Sequence, residues 1–544
     1  MKRIAPWRRA ALALCLLFAC CAALAAAPRP RLVVLFVIDG LPQWQLEANR
    51  DQLAPDGFAR FLEHGASFGQ AFFDDAYTVT AAGHATFLTG AYAHRTGIIG
   101  NEWLDLRAGQ PVYCTGDASE HYIGHATGAL DGTSPRNLKV ESLGDVLRRL
   151  EPGAKVIAVS GKDRGAILPA GRSGTAYMYM AEDGTFASTT YYMRAHPAWV
   201  DAFNRARPAD RFFHTQWKPL LPPDAYARSL PDDQPWFGQR GGHLPMDLGN
   251  AAQAQPGPAF YASLLASPFA DALTLDFARA AVAGEHLGAD DVPDLLSISL
   301  SGHDYVNHAW SAESRLSQDH LLQLDRLLQS FFRDLDLSVG RGRYVAVLTA
   351  DHGFMPNPEA LQARGVPAGR LAARPLRDAV NAALEPKFHA ATLVGGLSAS
   401  ALVLDRADIA SRGLDLATVA AAARDALLAQ PHLLAAYTRA ELQEGSRAGA
   451  PFFEQMRNSW HPDVSGDVQF VTQPYWMFGT AVATHGSPHA YDTHVPLLLW
   501  GPAWVRAGVH PEPVEITALA PTLAALLHIP PPSASEGRPL ALAP

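Results

Sequence analysis

Cysteine is scarce in this 544-residue chain: there are four, and three of them, Cys15, Cys20 and Cys21, sit close to the N-terminus. Only Cys114 lies beyond, so the rest of the chain can form no internal disulfide, and its stability has to come from a packed core or from bound metal. Positive charge is also in deficit. Lys+Arg total 44 against Asp+Glu 53, a net charge of −9, which argues against a nucleic-acid partner held by a basic surface. After the N-terminal segment there is no second long apolar run, so no further membrane span is expected, and there is no internal repeat. Apolar residues are plentiful at 48%, with 18% charged, which excludes wholesale disorder and supplies a large core.

The N-terminus has Lys2, Arg3, Arg8 and Arg9 before an apolar stretch from Ala10 to Ala27. A basic head, a Leu/Ala-rich centre and small residues near Ala23-Leu24-Ala25 read as a secretory signal peptide over residues 1–27, with residues 28–544 as the mature chain, periplasmic or secreted. The alternatives are a retained anchor, since the stretch is close to the ~18-residue minimum for a span, and lipid attachment at Cys20.

Continuous apolar runs that end in loops mark buried parallel strands. Leu32–Ile38 runs into Asp39-Gly40, Lys155–Val159 into Ser160-Gly161-Lys162, and Leu295–Leu300 into Ser301-Gly302-His303-Asp304. Tyr344–Thr349 runs into Asp351-His352-Gly353, and Val495–Trp500 into Gly501-Pro502. Amphipathic helices lie between them; Leu321, Leu324, Leu328, Phe331 and Leu335 follow the spacing of one buried face. The alternation predicts an α/β fold with a doubly wound, mostly parallel central sheet flanked by helices. Two stretches break the rhythm, near 175–285 and near 355–480, and are read as insertions that cap the core. The second contains a candidate strand, Ala401–Leu404.

Ligands bind such sheets beyond the carboxyl ends of the strands, and there the ionisable residues gather. Asp304 and His308 are four apart, on one face of a helix. Asp351-His352-Gly353 follows one strand and Asp39 another, while His485, Asp492 and His494 precede the last. Taken singly each is an ordinary cap or ion pair. Together, three Asp and three His give mixed N/O ligands for two borderline cations, a set that suits zinc better than magnesium or manganese.

The segment Tyr77–Gly90 reads as a loop entering a helix, with Thr80 at the N-cap. Capping is the default role of such a threonine. The alternative is a nucleophile, because a helix N-terminus favours negative charge and a neighbouring metal lowers a hydroxyl pKa. Asn101 offers an amide to a phosphoryl oxygen or else serves a turn. Lys162 and Arg164, on alternate positions, offer a point charge and a planar fork for phosphate oxygens or else a solvated loop pair.

These segments resemble the alkaline phosphatase superfamily, in particular the bacterial alkaline phosphatases with a threonine nucleophile, the phosphate-irrepressible type. The resemblance is carried by VVLFVIDG, YTVTAAGHATFLTG, GIIGNEW, SGKDRG, SGHDYVNHAW, TADHGF and THGSPHAYDTHVPLLLWGP, and spans roughly residues 31–531. It implies two Zn²⁺ ions, one held by Asp39, Thr80, Asp351 and His352, the other by Asp304, His308 and His485. It implies Thr80 as nucleophile and Asn101, Lys162 and Arg164 as holders of the non-bridging oxygens of a small-molecule phosphate monoester. His485 is preferred to His494 because it stands in the THG motif. Related diesterases lack the Lys/Arg pair, and the sulfatase Cys-x-Pro-x-Arg motif is absent. The rivals are a phosphodiesterase or nucleotide pyrophosphatase of the same superfamily, and a non-catalytic exported binding protein. Natural substrate and oligomeric state stay open.

Overall fold

The computed structural model describes residues 29–542; the expected signal peptide, and with it Cys20, lies outside the described residues. The centre is a nine-stranded sheet. In chain order its strands are β1 (Leu32–Ile38), β2 (Ala66–Phe68), β3 (Val156–Ser160), β4 (Thr175–Met180), β5 (Thr185–Ala187), β6 (Asp294–Leu300), β7 (Tyr344–Thr349), β8 (Leu497–Trp500) and β9 (Gly508–His510). Across the sheet the order is β9-β2-β8-β7-β1-β6-β3-β4-β5. The run β7-β1-β6-β3-β4 is parallel throughout, and β2 pairs β9 in parallel.

All seven residues of β1 and all seven of β6 are buried. Strands apolar on both faces require cover on both. It comes from helices α1 (Thr80–Thr89), α2 (Asp163–Ala170), α3 (Pro268–Gly284), α4 (Gly302–Trp310), α5 (Arg315–Leu335) and α6 (Leu519–Leu527). The predicted face of α5 is buried at Leu321, Leu324, Leu328, Phe331 and Leu335, and Phe36 of β1 meets the Phe331 and Phe332 rings edge-on at 5.7 and 5.3 Å. The fold is the expected α/β architecture.

The strand formed by the last of the apolar runs, β8, corrects the sequence reading. β8 is antiparallel to both β7 and β2. A continuous apolar run reports burial on two faces but carries no sign of direction. The reversal has a consequence for the site: the N-terminal end of β8 lies beside the carboxyl ends of the parallel strands, so residues that precede it arrive at the same edge of the sheet as those that follow β1, β3, β6 and β7.

The insertion boundaries also shift. β4, β5 and α3 belong to the core, so the stretch expected near 175–285 begins after Ala187 and ends before Pro268. Its Trp217, Phe237 and Leu244 pack on Val306, Trp310 and Leu316. The later stretch builds a sheet of its own from Val394–Ser398, Ala401–Leu404, Val468–Thr472 and Leu433–Thr438, in that order. Helices Ala373–Phe388 and Leu416–Leu428 contribute to a separate small core with it, including Val380, Leu384, Leu402, Val419 and Phe470. Among the described residues no helix is long and apolar enough to cross a membrane.

Candidate active site

Each sequence-predicted residue is placed by an element end. Asp39 follows β1, and Gly40 behind it adopts φ +71°; a Cβ there would stand 3.1 Å from Asp304 Oδ1. Glycine thus serves both the left-handed backbone and the close approach. Gly40 N donates to Asp351 Oδ1 at 3.0 Å, and Asn307 Nδ2 of α4 donates to the Gly40 carbonyl at 3.0 Å. Asp351 and His352 follow β7, and Asp304 and His308 lie on α4. His485 arrives from the segment before β8.

The structure brings these groups together. Asp304, His352 and His485 form one set of mutually close donors, and Asp39, Asp351 and His352 a second, with the ligating atoms of each set within 4.8 Å of one another. His308 Nε2 lies 3.3 Å from Asp304 Oδ1. His494 is elsewhere: its Nε2 meets the Gly69 carbonyl at 2.9 Å and its ring stacks on Phe72.

The histidine tautomers follow from their partners. Nδ1 of His308 faces the Ala483 carbonyl at 3.0 Å, that of His352 the Gly353 carbonyl at 2.9 Å, and that of His485 the Thr78 carbonyl at 2.8 Å. A carbonyl only accepts, so each Nδ1 carries the proton, and a neutral ring then presents its Nε2 lone pair. Burial lowers the His352 and His485 pKa values, keeping both rings neutral. Their Nε2 atoms then face carboxylate oxygens, His352 at 3.6 Å from both Asp39 Oδ1 and Asp351 Oδ2, and His485 at 3.6 Å from Asp304 Oδ1. Asp39 Oδ1, Asp304 Oδ1, Asp351 Oδ2 and His352 Nε2 are buried with no hydrogen-bond partner. Lone pairs facing lone pairs in a buried site are repulsive until a cation lies between them, and neutral imidazoles with Nδ1–H on backbone carbonyls are the usual arrangement of metal ligands. The donor set fits two borderline divalent ions.

Charge is partly balanced by the protein. Lys162 Nζ lies 2.6 Å from Asp304 Oδ2, 2.7 Å from Asp39 Oδ2 and 3.4 Å from Thr80 Oγ1. Burial disfavours its charge, yet the Asp304 and Asp39 carboxylates outweigh that and hold its pKa above the ordinary value. Asp39, buried beside Asp351 and Asp304, is pushed well above the usual carboxylate range.

Thr80 corrects the sequence reading in one respect. It is the first residue of α1, not its cap; the cap position is Val79 and makes no side-chain hydrogen bond. The capping role is taken by Asn101, whose Oδ1 accepts from Ala81 N at 2.9 Å. The Thr80 hydroxyl is therefore not spent on the helix, and the Asn101 NH₂ is left as a donor. Gly83, one turn on, lets α1 lie against the Asp351 backbone, where a Cβ would fall 2.2 Å from the Asp351 carbonyl oxygen. Arg164 approaches from α2 and adds its charge near Lys162.

Residues not singled out in the sequence hold this constellation. Tyr113 accepts from Arg164 Nη1 at 3.1 Å and donates to Asp163 Oδ1 at 2.5 Å. The Tyr305 ring lies 5.1 Å from Lys162 Nζ. His84 of α1 sits 3.2 Å from Asp351 Oδ2 and 2.8 Å from Ser299 Oγ. His84 is four residues beyond Thr80, so helical spacing was a usable signal for it; Tyr305, adjacent to Asp304, and Tyr113, 51 residues before Arg164, gave none.

Comparison with known proteins agrees with this geometry. The type I phosphodiesterase/nucleotide pyrophosphatase family matches residues 33–494. The chain belongs to that family, within the alkaline phosphatase superfamily. It is 33% identical over 520 residues to the alkaline phosphatase PafA of Elizabethkingia meningoseptica, covering 95% of this chain and 94% of that one. It is also 33% identical over 527 residues to the alkaline phosphatase PhoV of Synechococcus elongatus, covering 94% and 92%. The crystal structure of wild-type PafA superposes with a TM-score of 0.86 at 31% identity, over 95% of this chain and 99% of that one. This family member is a phosphatase, an alkaline-phosphatase-like hydrolase.

Proposed function

We propose that this chain is an exported, zinc-dependent phosphatase that hydrolyses phosphate monoesters through a covalent phosphothreonine at Thr80. The observation that carries the reading is the convergence of Lys162 on Thr80 and on two carboxylates, with the Asn101 amide and the Arg164 guanidinium beside it. A monoester dianion bears one charge more than a diester, and two cations next to the nucleophile suit it.

Asp39, Asp351 and His352 with Thr80 would hold one zinc, and Asp304, His308 and His485 the other. When bound, the two ions supply Lewis acidity that lowers the Thr80 hydroxyl pKa and offsets charge on the departing oxygen. The residues of the chain do the rest. α1 directs its N-terminal dipole at the reacting phosphoryl group. Asn101 Nδ2, Lys162 Nζ and Arg164 meet the charge on the equatorial oxygens. Thr80 Oγ1 displaces the alcohol in line and forms a P–O bond; water then cleaves that ester and regenerates the hydroxyl. Residues 1–27 would direct export and be removed, which N-terminal sequencing of the mature protein checks.

The deciding experiment is the ratio of monoester to diester turnover in the wild type, Lys162→Ala and Arg164→Ala, with zinc content measured on the same samples. We expect each variant to lose about 10²-fold or more on monoesters and distinctly less on diesters. Equal losses on both, or a wild type that prefers diesters, would return the reading to a phosphodiesterase or pyrophosphatase. Absence of both activities in the zinc-loaded protein would favour a binding protein.

A further inference from the structure

His84 belongs to neither set of metal donors, yet it touches a residue expected at the first zinc on each side of the α1–β7 junction. It is buried, one turn beyond Thr80 on α1. Its Nδ1 lies 2.8 Å from the Thr80 carbonyl oxygen and 3.2 Å from Asp351 Oδ2. A carbonyl only accepts, so this nitrogen carries a proton. The hydrogen bond runs to Thr80, and Asp351 Oδ2, which has no hydrogen-bond partner of its own, flanks the same N–H. The positive end of one N–H dipole thus faces both the backbone of Thr80 and a carboxylate oxygen of Asp351.

The ring is held in this orientation from its far side. Nε2 lies 2.8 Å from the hydroxyl of Ser299, buried on β6, and the Phe87 ring packs edge-on at 5.5 Å. Flipping the imidazole would turn C–H groups toward Thr80, Asp351 and Ser299, which a buried polar site does not tolerate. Thr80 and Asp351 are otherwise placed separately, one by the start of α1 and the other by the end of β7, where Gly40 N takes Asp351 Oδ1 at 3.0 Å. The link is short because the neighbour of His84 is glycine. A Cβ on Gly83 would fall 2.2 Å from the Asp351 carbonyl oxygen, so the helix comes close enough for the imidazole to reach the carboxylate. An apolar ring would fill the same space but would make none of these polar contacts.

We propose that His84 is a positioning residue whose Nδ1–H holds the Thr80 backbone and the Asp351 carboxylate in one register, so that hydroxyl and carboxylate are set to share a cation. The inference rests on the reading of Thr80 as nucleophile and Asp351 as zinc ligand, and adds the group that ties them together. Partners that orient metal ligands typically account for 10–100-fold in metal affinity or activity.

Two amide substitutions separate the ring nitrogens. His84→Asn places an NH₂ at the position of Nδ1, with one proton for each acceptor. His84→Gln places its NH₂ at the position of Nε2, beside Ser299, and leaves Thr80 and Asp351 without the donor. A role in packing alone predicts that His84→Gln is the milder change, since glutamine is nearer histidine in volume and is the better helix former. Positioning predicts the reverse order in function. The measurements are the rate of zinc release under excess chelator, kcat/KM on phenyl phosphate and the melting temperature of each variant. We expect His84→Gln to release zinc faster and to lose about 10–100-fold in kcat/KM, and His84→Asn to recover most of both losses even where its melting temperature is the lower of the two. Equal zinc release and kcat/KM in the two variants, or better values in His84→Gln, would overturn the role of His84 while leaving the phosphatase reading intact. A wild type that binds no zinc, or Thr80→Ala with undiminished turnover, would overturn both.

Discussion

The side-chain oxygen of Asn101 accepts the backbone N–H of Ala81, the second residue of α1, at 2.9 Å. One amide thus has two duties that can be separated. The oxygen terminates the helix, and the NH₂ is free to donate to a phosphoryl oxygen. Asn101→Asp keeps the acceptor and replaces the donor by negative charge. It should retain most of the melting temperature and lose at least 10²–10³-fold in kcat/KM on monoesters. Asn101→Ala should lose about 1 kcal/mol of stability as well. If Asn101→Asp keeps near-normal activity, the amide is only a cap.

Gly40 joins backbone strain to ligand placement. Its φ of +71° costs an L-residue roughly 1–2 kcal/mol, and the methyl of Gly40→Ala would stand 3.1–3.2 Å from Asp304. Since Asp304 contributes to one donor set while Gly40 N holds Asp351 of the other, displacement should reach both. We expect zinc to leave this variant faster under chelator challenge, with activity falling further than the modest loss of melting temperature accounts for. Unchanged zinc release would mean that the loop absorbs the methyl.

Much of this site was legible in the sequence, for a physical reason. A parallel sheet places chemistry where apolar runs stop, so Asp39, Asp304, Asp351 and His352 could be read from run endings alone. Direction was not legible. β8 carries the same apolar signature as β7 and runs opposite to it, because burial on two faces demands Val, Leu and Trp whichever way the strand points. Thr175–Met180 shares its Tyr-rich composition with the loop that follows, which hides it in the insertion; pairing with β3 makes it a core strand. Tyr113 was invisible, since its link to Arg164 exists only through the folding of a hairpin onto α2. Thr80 was displaced by one position because its cap comes from Asn101, 20 residues away in sequence, rather than from its own hydroxyl.

Removing metal should reveal how far Lys162 substitutes for it. Three buried carboxylates share the site, and Lys162 lies within 2.7 Å of two of them. In the wild type, chelation should lower the melting temperature and abolish turnover, with zinc restoring both. In Lys162→Met no ammonium offsets Asp39 and Asp304, and breaking a buried pair costs about 3–5 kcal/mol. The difference in melting temperature between zinc-loaded and chelated protein should therefore widen in the variant. A gap equal to that of the wild type would show that Lys162 does not balance those carboxylates.

Asp75 provides a pH dependence of stability. It is 1% exposed, its Oδ1 lacks a hydrogen-bond partner, and it lies in a neighbourhood with Asp74, Tyr92 and Glu515. Burial first, and the Asp74 charge second, push its carboxyl from 3.8 up to about 7. The folded state therefore holds this proton more tightly than the unfolded chain. Between about pH 4 and pH 7 the native protein binds more protons than the unfolded one, so this group's contribution to stability falls as pH rises through that window and is least above it. Asp75→Asn mimics the protonated carboxyl at every pH. The variant should match the wild type near pH 4 and exceed it above pH 7, with the gap opening across the interval, read as melting temperature in zinc-saturated buffers. A difference between the two proteins that stays constant from pH 4 to pH 8 would mean that Asp75 is not held protonated by its surroundings.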